Sequence, residues 1–177
     1  KPFELSENKD ISLVVGTDEK MDIVDIIMDE SKTEKSYVSD INEIGTFRAS
    51  YSLADRVRSF LKVQDGCNYH CTFCTIPMAR GRSRSSSVGE VVHMLRDIKD
   101  RGFNEAVISG INLGDFGRGT KESCYDLLSA VDSEVDIPRL RISSIEPNLL
   151  NDRIIKLIRD SDKFMPHLHI PLQSGSN

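Results

Sequence analysis

Three of the four cysteines fall in one short run, GCNYHCTFC, where Cys67, Cys71 and Cys74 are spaced C-x3-C-x2-C and Cys124 stands alone far downstream. Crowded thiols of this kind act as metal ligands or catalysts in a reducing compartment far more often than as disulfide partners. The run follows directly on FLKVQ at Phe60–Gln64, a strand-like segment, so the fold has to present the thiols on a loop that leaves a strand. Three thiolates can hold a four-iron four-sulfur cube while leaving one iron open to another ligand. A closed zinc site is the alternative, with His70 or Cys124 completing a tetrahedron. Zinc knuckles usually pair C-x2-C with a distant second pair, and none is visible here.

Around that loop, apolar strand-like runs alternate with helix-like ones. ISLVVG from Ile11 reads as a short strand, and Thr17 or Asp18 can cap the amphipathic KMDIVDIIMDES. Residues 32–59 show no sustained period and read as a linker carrying a short strand. Ser87 and Glu90 form a capping box ahead of Val88, Val91, Val92, Leu95 and Ile98 on one helical face, with Gly102 as the stop. The strand EAVISG, a helix near Tyr125–Val131, the strand RLRIS at Arg139–Ser143, a helix around Ile154–Ile158 and a last strand HLHIP follow. Strands separated by helices predict right-handed crossovers and a parallel sheet whose ligand site lies at the carboxyl ends of the strands.

The totals fit a globular chain: 177 residues, 38% hydrophobic and 29% charged, which excludes disorder and fibrous repeats. A net charge of −5 excludes a uniformly basic nucleic-acid coat, yet Arg80, Arg82 and Arg84 form a local basic patch just beyond the cysteines. No apolar run is long enough for a membrane span, and KPFELSENKD lacks a secretory layout, so a cytoplasmic protein is expected.

The pattern C-x3-C-x-aromatic-C, with Phe73 as the aromatic, resembles the radical S-adenosylmethionine (SAM) enzymes. In those enzymes the amino and carboxylate groups of SAM chelate the open iron, and an electron from the cluster cleaves the sulfonium to methionine and a 5'-deoxyadenosyl radical. VQDGCNYHCTFCTIPMARGRSRS, SGINLGDFGRG, RISSIEP and HLHIPLQSGSN further resemble consecutive blocks of the methylthiotransferases, and LVVGTDEK at Leu13–Lys20 is similar to the end of that family's amino-terminal domain. Within the family the SSIEP and HIPLQSGS forms look closest to enzymes acting on N6-threonylcarbamoyladenosine beside the tRNA anticodon. Enzymes acting on isopentenyladenosine tRNA or on a ribosomal protein are the alternative, and a non-catalytic zinc-stabilised RNA-binding module is the rival of another class.

The resemblance implies an α/β chain: residues 1–31 as the tail of an α/β amino-terminal domain, 32–59 as linker, and 60–177 as a partial parallel (β/α) barrel of the radical SAM type, incomplete at its carboxyl end. It also implies a 4Fe-4S cluster on Cys67, Cys71 and Cys74, SAM as cofactor, tRNA as partner, and an electron donor such as flavodoxin or ferredoxin. A second 4Fe-4S cluster, which supplies or carries sulfur, is expected in the full-length enzyme. Its cysteine ligands are absent from this sequence, so a fragment inactive on its own is expected. Phe73, Gly110, Asn112, Glu146 and Gln173 are the candidates for the SAM pocket.

Each candidate has a plain alternative. The glycines of SGINLGDFGRG let backbone approach a ligand closely, or simply turn the chain; their spacing is not that of a dinucleotide fingerprint. Glu146 and Gln173 follow strands, where such a fold gathers its active-site groups, although Glu146 before Pro147 can equally close a turn. Arg80, Arg82 and Arg84 can grip an RNA backbone or stand as a solvated run. His167 and His169 alternate on one face of the expected last strand, which favours packing over metal ligation.

Overall fold

The computed structural model describes residues 2–53, 57–172 and 174–176. The chain divides into two compact units, Lys1–Thr46 with Tyr69–Gly81, and Phe47–Asn68 with Arg82–Asn177.

The smaller unit contains α1 (Pro2–Glu7), β1 (Val14–Val15), a single 3-10 turn at Glu19–Asp22 that runs into α2 (Ile23–Met28), β2 (Ser36–Tyr37) and α3 (Ile76–Arg80). The expected strand ISLVVG shrinks to β1 because its parallel partner β2 offers only two residues, Ser36 opposite Val14 and Tyr37 opposite Val15. Asp18 precedes the 3-10 turn but makes no side-chain cap. Ile26 is the buried residue of α2, whereas Val24, Ile27 and Met28 are exposed. In the larger unit the stretch read as linker supplies β3 (Ser50–Tyr51), so it carries two strands rather than one.

The larger unit is built on β3, β4 (Ser59–Lys62), β5 (Gln64–Asp65), β6 (Arg84–Ser85), α4 (Val88–Asp100), β7 (Glu105–Ser109), α5 (Cys124–Glu134), β8 (Arg139–Ile142) and α6 (Asp152–Asp160). Its main sheet has the order β3-β4-β7-β8. β4, β7 and β8 are parallel, in a register that sets Leu61 against Ile108 and Ile108 against Ile142. β3 is antiparallel to β4, so the sheet is mixed rather than all parallel. The reason is chain length: a parallel crossover needs a dozen or more residues, and β3 and β4 are joined by a shorter connection.

Helices fill the crossovers, with α4 packed on α5 and α5 on α6. Leu61, Ile108 and Leu140 from the strands meet Leu95, Ile98, Leu127, Leu128 and Ile154 from the helices in one core. Each such side chain contributes roughly 1.5–3 kcal/mol on burial. The capping box forms as expected: Ser87 Oγ accepts from the Glu90 amide at 3.3 Å and Glu90 Oε2 accepts from the Ser87 amide at 2.9 Å. The Val88 amide, another orphan donor of that helix end, is taken by the Glu122 carboxylate at 3.1 Å. Ser87→Ala therefore removes one of several caps and is expected to cost about 1 kcal/mol, read as a shift of the urea midpoint at constant m-value.

HLHIP is not a strand. The chain after α6 runs beside β8, but pairing is confined to a bridge between Phe164 and Leu140, with one further bond from the Ile145 amide to the His169 carbonyl. Pro166 and Pro171 bracket the segment, and a proline has no amide to donate to a ladder. Among the described residues no helix is long and apolar enough to cross a membrane.

Candidate metal and cofactor site

The path to the cysteines starts in the sheet. Past β4 the Val63 amide donates to the Ser109 carbonyl at 2.9 Å, prolonging the parallel pairing for one residue. The chain then leaves the sheet and pairs as β5 with β6, Gln64 opposite Ser85 and Asp65 opposite Arg84. Gly66, at φ +71°, turns it toward Cys67, which is half-buried. Asn68 Oδ1 accepts from the Ser83 amide at 2.8 Å, tying this root to the segment that returns from the loop.

Cys71 and Cys74, in the smaller unit, close a turn in which the Cys74 amide donates to the Cys71 carbonyl at 3.0 Å. Phe73 sits on that turn and is 76% exposed. α3 begins directly after it and ends at Gly81, φ +73°, where a Cβ would stand 2.7 Å from the Ile41 carbonyl oxygen. All three thiols are unbridged; Cys71 is exposed and Cys74 half-buried.

Cys124 differs in kind. It opens α5 inside the core, and desolvation pushes its thiol up to about 12, so it stays protonated at neutral pH. Its enclosure in the core sets it apart from the exposed and half-buried thiols of the loop. Among the described residues no group of three or more His, Cys, Asp or Glu side chains is gathered as metal ligands. The donor set itself suits iron and sulfide: three soft, unbridged thiols on one loop and no carboxylate between them.

Two polar residues that periodicity could not single out organise the root of the loop. Gln64 is fully buried, and its Oε1 accepts from the Asn112 amide at 2.9 Å. Its Nε2 faces the Gly66 carbonyl at 2.8 Å, Ser83 Oγ at 3.0 Å and the Asp65 carbonyl at 3.1 Å. Asp65, 2% exposed, accepts from the Gly66 amide at 3.0 Å and is neutralised by Lys62 at 2.7 Å and Arg84 at 3.7 Å. A buried carboxylate requires such partners. The only sequence signal was two polar residues continuing an apolar run into a metal-type loop.

SGINLGDFGRG follows β7 and packs on that root. A Cβ on Gly110 would lie 2.8 Å from Gln64 Oε1 and 3.0 Å from Gln64 Cβ, so the glycine is required by close approach. Asn112 is 3% exposed, and its Oδ1 and Nδ2 have no hydrogen-bond partner among the described residues. Asp115 next to it is also buried, with Oδ1 paired to Arg118 at 2.9 Å. Gly117 adopts φ +75° and donates its amide to Ser85 Oγ at 3.0 Å.

The remaining candidates are scattered in role. Glu146 precedes the 3-10 turn Pro147–Leu149 without a side-chain cap; its carbonyl accepts from the Leu149 amide at 2.9 Å. Gln173 lies outside the described residues. Arg80 ends α3, Arg82 is exposed, and Arg84 is turned inward onto Asp65 with a side chain only 10% exposed. His169 is exposed and shares a 2.6 Å hydrogen bond with Ser144, while His167 is exposed on the unpaired segment. His93 lies on the outer face of α4.

Comparison with known proteins agrees with this chemistry. The profile of the Radical SAM superfamily matches residues 61–177. A threonylcarbamoyladenosine tRNA methylthiotransferase of Bacillus subtilis is 38% identical over 99% of this chain and 40% of its own length. Its namesake from Aquifex aeolicus is 36% identical over 99% of this chain and 44% of its own. A tRNA-2-methylthio-N6-dimethylallyladenosine synthase of Phocaeicola vulgatus is 29% identical over 98% of this chain and 40% of its own. The chain thus spans about two fifths of the length of these relatives. Among solved structures, the radical SAM methyltransferase TsrM of Kitasatospora setae, with cobalamin and a 4Fe-4S cluster bound, superposes at a TM-score of 0.51 and 16% identity, covering 64% of this chain and 20% of that one. That likeness concerns the α/β fold alone. With a thiol triad on a strand-borne loop and a family profile that covers the loop and everything after it, the chain belongs to the radical SAM superfamily.

Proposed function

We propose that this chain is the cofactor-binding core of a methylthiotransferase that modifies N6-threonylcarbamoyladenosine next to the anticodon of tRNA. The observation that carries the reading is the likeness to relatives of that name along 97–99% of the chain at 36–38% identity. Relatives named for dimethylallyladenosine in tRNA, one 29% identical over 98% of the chain and two 32–34% identical over 67–68%, give the second reading. A partial parallel (β/α) barrel over residues 60–177, following the tail of an amino-terminal domain and a linker, is the architecture that goes with it.

In this reading Cys67, Cys71 and Cys74 hold a 4Fe-4S cluster, and Cys124 takes no part. The bound cluster and SAM supply radical chemistry at an adenosine carbon, followed by sulfur and methyl transfer. The chain's own residues bind and orient: Gly110 and Asn112 offer backbone and an unpartnered carboxamide past the end of β7, and Phe73, Glu146 and Gln173 are further candidates for contact with SAM. Water exclusion falls to the same loops. Arg80, Arg82 and Arg84 are the candidate phosphate contacts, of which Arg84 is also paired with Asp65.

Mass spectrometry of tRNA nucleosides from cells lacking the gene tests this. The expected result is complete loss of the methylthio form of threonylcarbamoyladenosine with accumulation of the unmethylthiolated nucleoside. An unaltered level of that form overturns the substrate, and loss of methylthio-dimethylallyladenosine instead selects the second reading.

A further inference from the structure

We propose that Gln64 is a positioning residue of the cofactor pocket: its carboxamide sets the Gly110–Asn112 segment against the root of the cysteine loop, so that SAM binding depends on it. The proposal rests on the reading of that pocket given above.

Both ends of the carboxamide are committed. Oε1 accepts from the Asn112 amide at 2.9 Å, and Nε2 donates toward the Gly66 carbonyl, Ser83 Oγ and the Asp65 carbonyl. The Asn112 amide is a donor and the two carbonyls are acceptors, so the amide can sit only one way round. One side chain thereby joins the turn into Cys67, the segment that returns after Gly81, and the loop that follows β7. Gly110 passes over it with no space for a Cβ, so the spacing between that loop and the cysteine root is set by Gln64 itself.

The bond to the Asn112 amide has a consequence for the ligand. With its backbone spent on Gln64, Asn112 keeps an almost fully buried carboxamide whose Oδ1 and Nδ2 are both unpartnered among the described residues. Buried polar groups without partners are rare and costly, and a bound ligand is one means of completing them. The SAM amino and carboxylate groups, or its ribose hydroxyls, are of the matching chemistry. Gln64 touches none of this directly; it acts by holding Asn112 in place.

Two variants of the full-length, anaerobically reconstituted protein separate positioning from mere packing. Gln64→Leu keeps bulk and removes every hydrogen bond. Gln64→Glu keeps the shape and, while neutral, one donor; once ionised it turns carboxylate oxygens on the Gly66 and Asp65 carbonyls. Burial and those carbonyls favour the neutral acid, so its pKa is raised and binding should be present below it and lost as pH rises through it. SAM affinity is read from the change in the reduced cluster's paramagnetic resonance signal, and amide protection at Asn112 from hydrogen exchange of the metal-free protein. Gln64→Leu is expected to retain wild-type iron content, to bind SAM at least about tenfold more weakly and to lose protection at Asn112. Gln64→Glu is expected to show a falling affinity with rising pH where the wild type is flat.

Affinity within about twofold of wild type in Gln64→Leu, or a Gln64→Glu profile as flat as wild type, overturns the proposal. Should Gln64→Leu fail to fold, the pH profile of Gln64→Glu decides alone. If the wild-type signal ignores SAM, the reading of the pocket fails instead, and unchanged Asn112 protection in the metal-free variants would then overturn the role of Gln64 separately.

Discussion

Cys71→Ala is expected to strip the full-length protein, reconstituted without oxygen, of nearly all the iron and acid-labile sulfide bound at this site, whereas Cys124→Ala leaves both at the wild-type level. The two residues share a thiol and little else. Cys71 is exposed on a turn, a position from which a thiolate can reach a metal, and removing one of three ligands leaves a cube gripped at two corners. Cys124 is enclosed by the core at the start of α5, where desolvation raises its thiol to about 12, and it stands far along the chain from the triad. The cost of Cys124→Ala is one of packing, about 1 kcal/mol for a small buried group. Iron and sulfide assays with a melting curve read both effects. Equal iron loss in the two variants, or a zinc-loaded colourless wild type, sinks the assignment of the triad.

The crowding of three cysteines and the isolation of the fourth were legible in the amino acids, because spacing is a local property. The same holds for the Ser87 and Glu90 cap and for the face Val91, Val92, Leu95 and Ile98, all four of which are buried. β7 and β8 also lie where apolar runs placed them. What periodicity could not reach were features made by pairing across the chain. HLHIP has strand-like alternation, yet a strand needs a neighbour with free donors and acceptors, and here pairing stops at Phe164 and resumes for one bond at His169. β3 is antiparallel because of a connection length, not a composition.

Arg84 shows the same limit at the site. Read as one of three evenly spaced arginines it looked like a phosphate contact, but its register opposite Asp65 in the β5–β6 pair turns it inward. Gln64 and Asp65 gave no signal beyond their polarity, since a buried carboxamide reveals its purpose only through the four groups around it. The glycine loop lay between these extremes: its residues were marked as candidates, while the reason each glycine is needed differs from one to the next.

Gly117→Ala and Gly119→Ala make that difference measurable. Both glycines have positive φ, +75° and +84°, so alanine at either pays the left-handed penalty of about 1–2 kcal/mol. At Gly119 that is all, because a Cβ would meet nothing within 4 Å. At Gly117 the added atom would stand 2.2 Å from the Glu122 carbonyl oxygen and 2.6 Å from its carbon, both backbone, which no rotamer change relieves. The segment would have to shift, disturbing the amide's bond to Ser85, and the total loss is expected to reach about 3–5 kcal/mol. Ser85 pairs with Gln64 across β5 and β6, so the displaced backbone also pulls on the carboxamide that holds Asn112. Urea unfolding of the two variants should therefore separate by about 2 kcal/mol or more, with SAM affinity falling in Gly117→Ala alone under conditions where both are folded. Equal losses would mean that the approach of Gly117 to Glu122 is not a constraint on this loop.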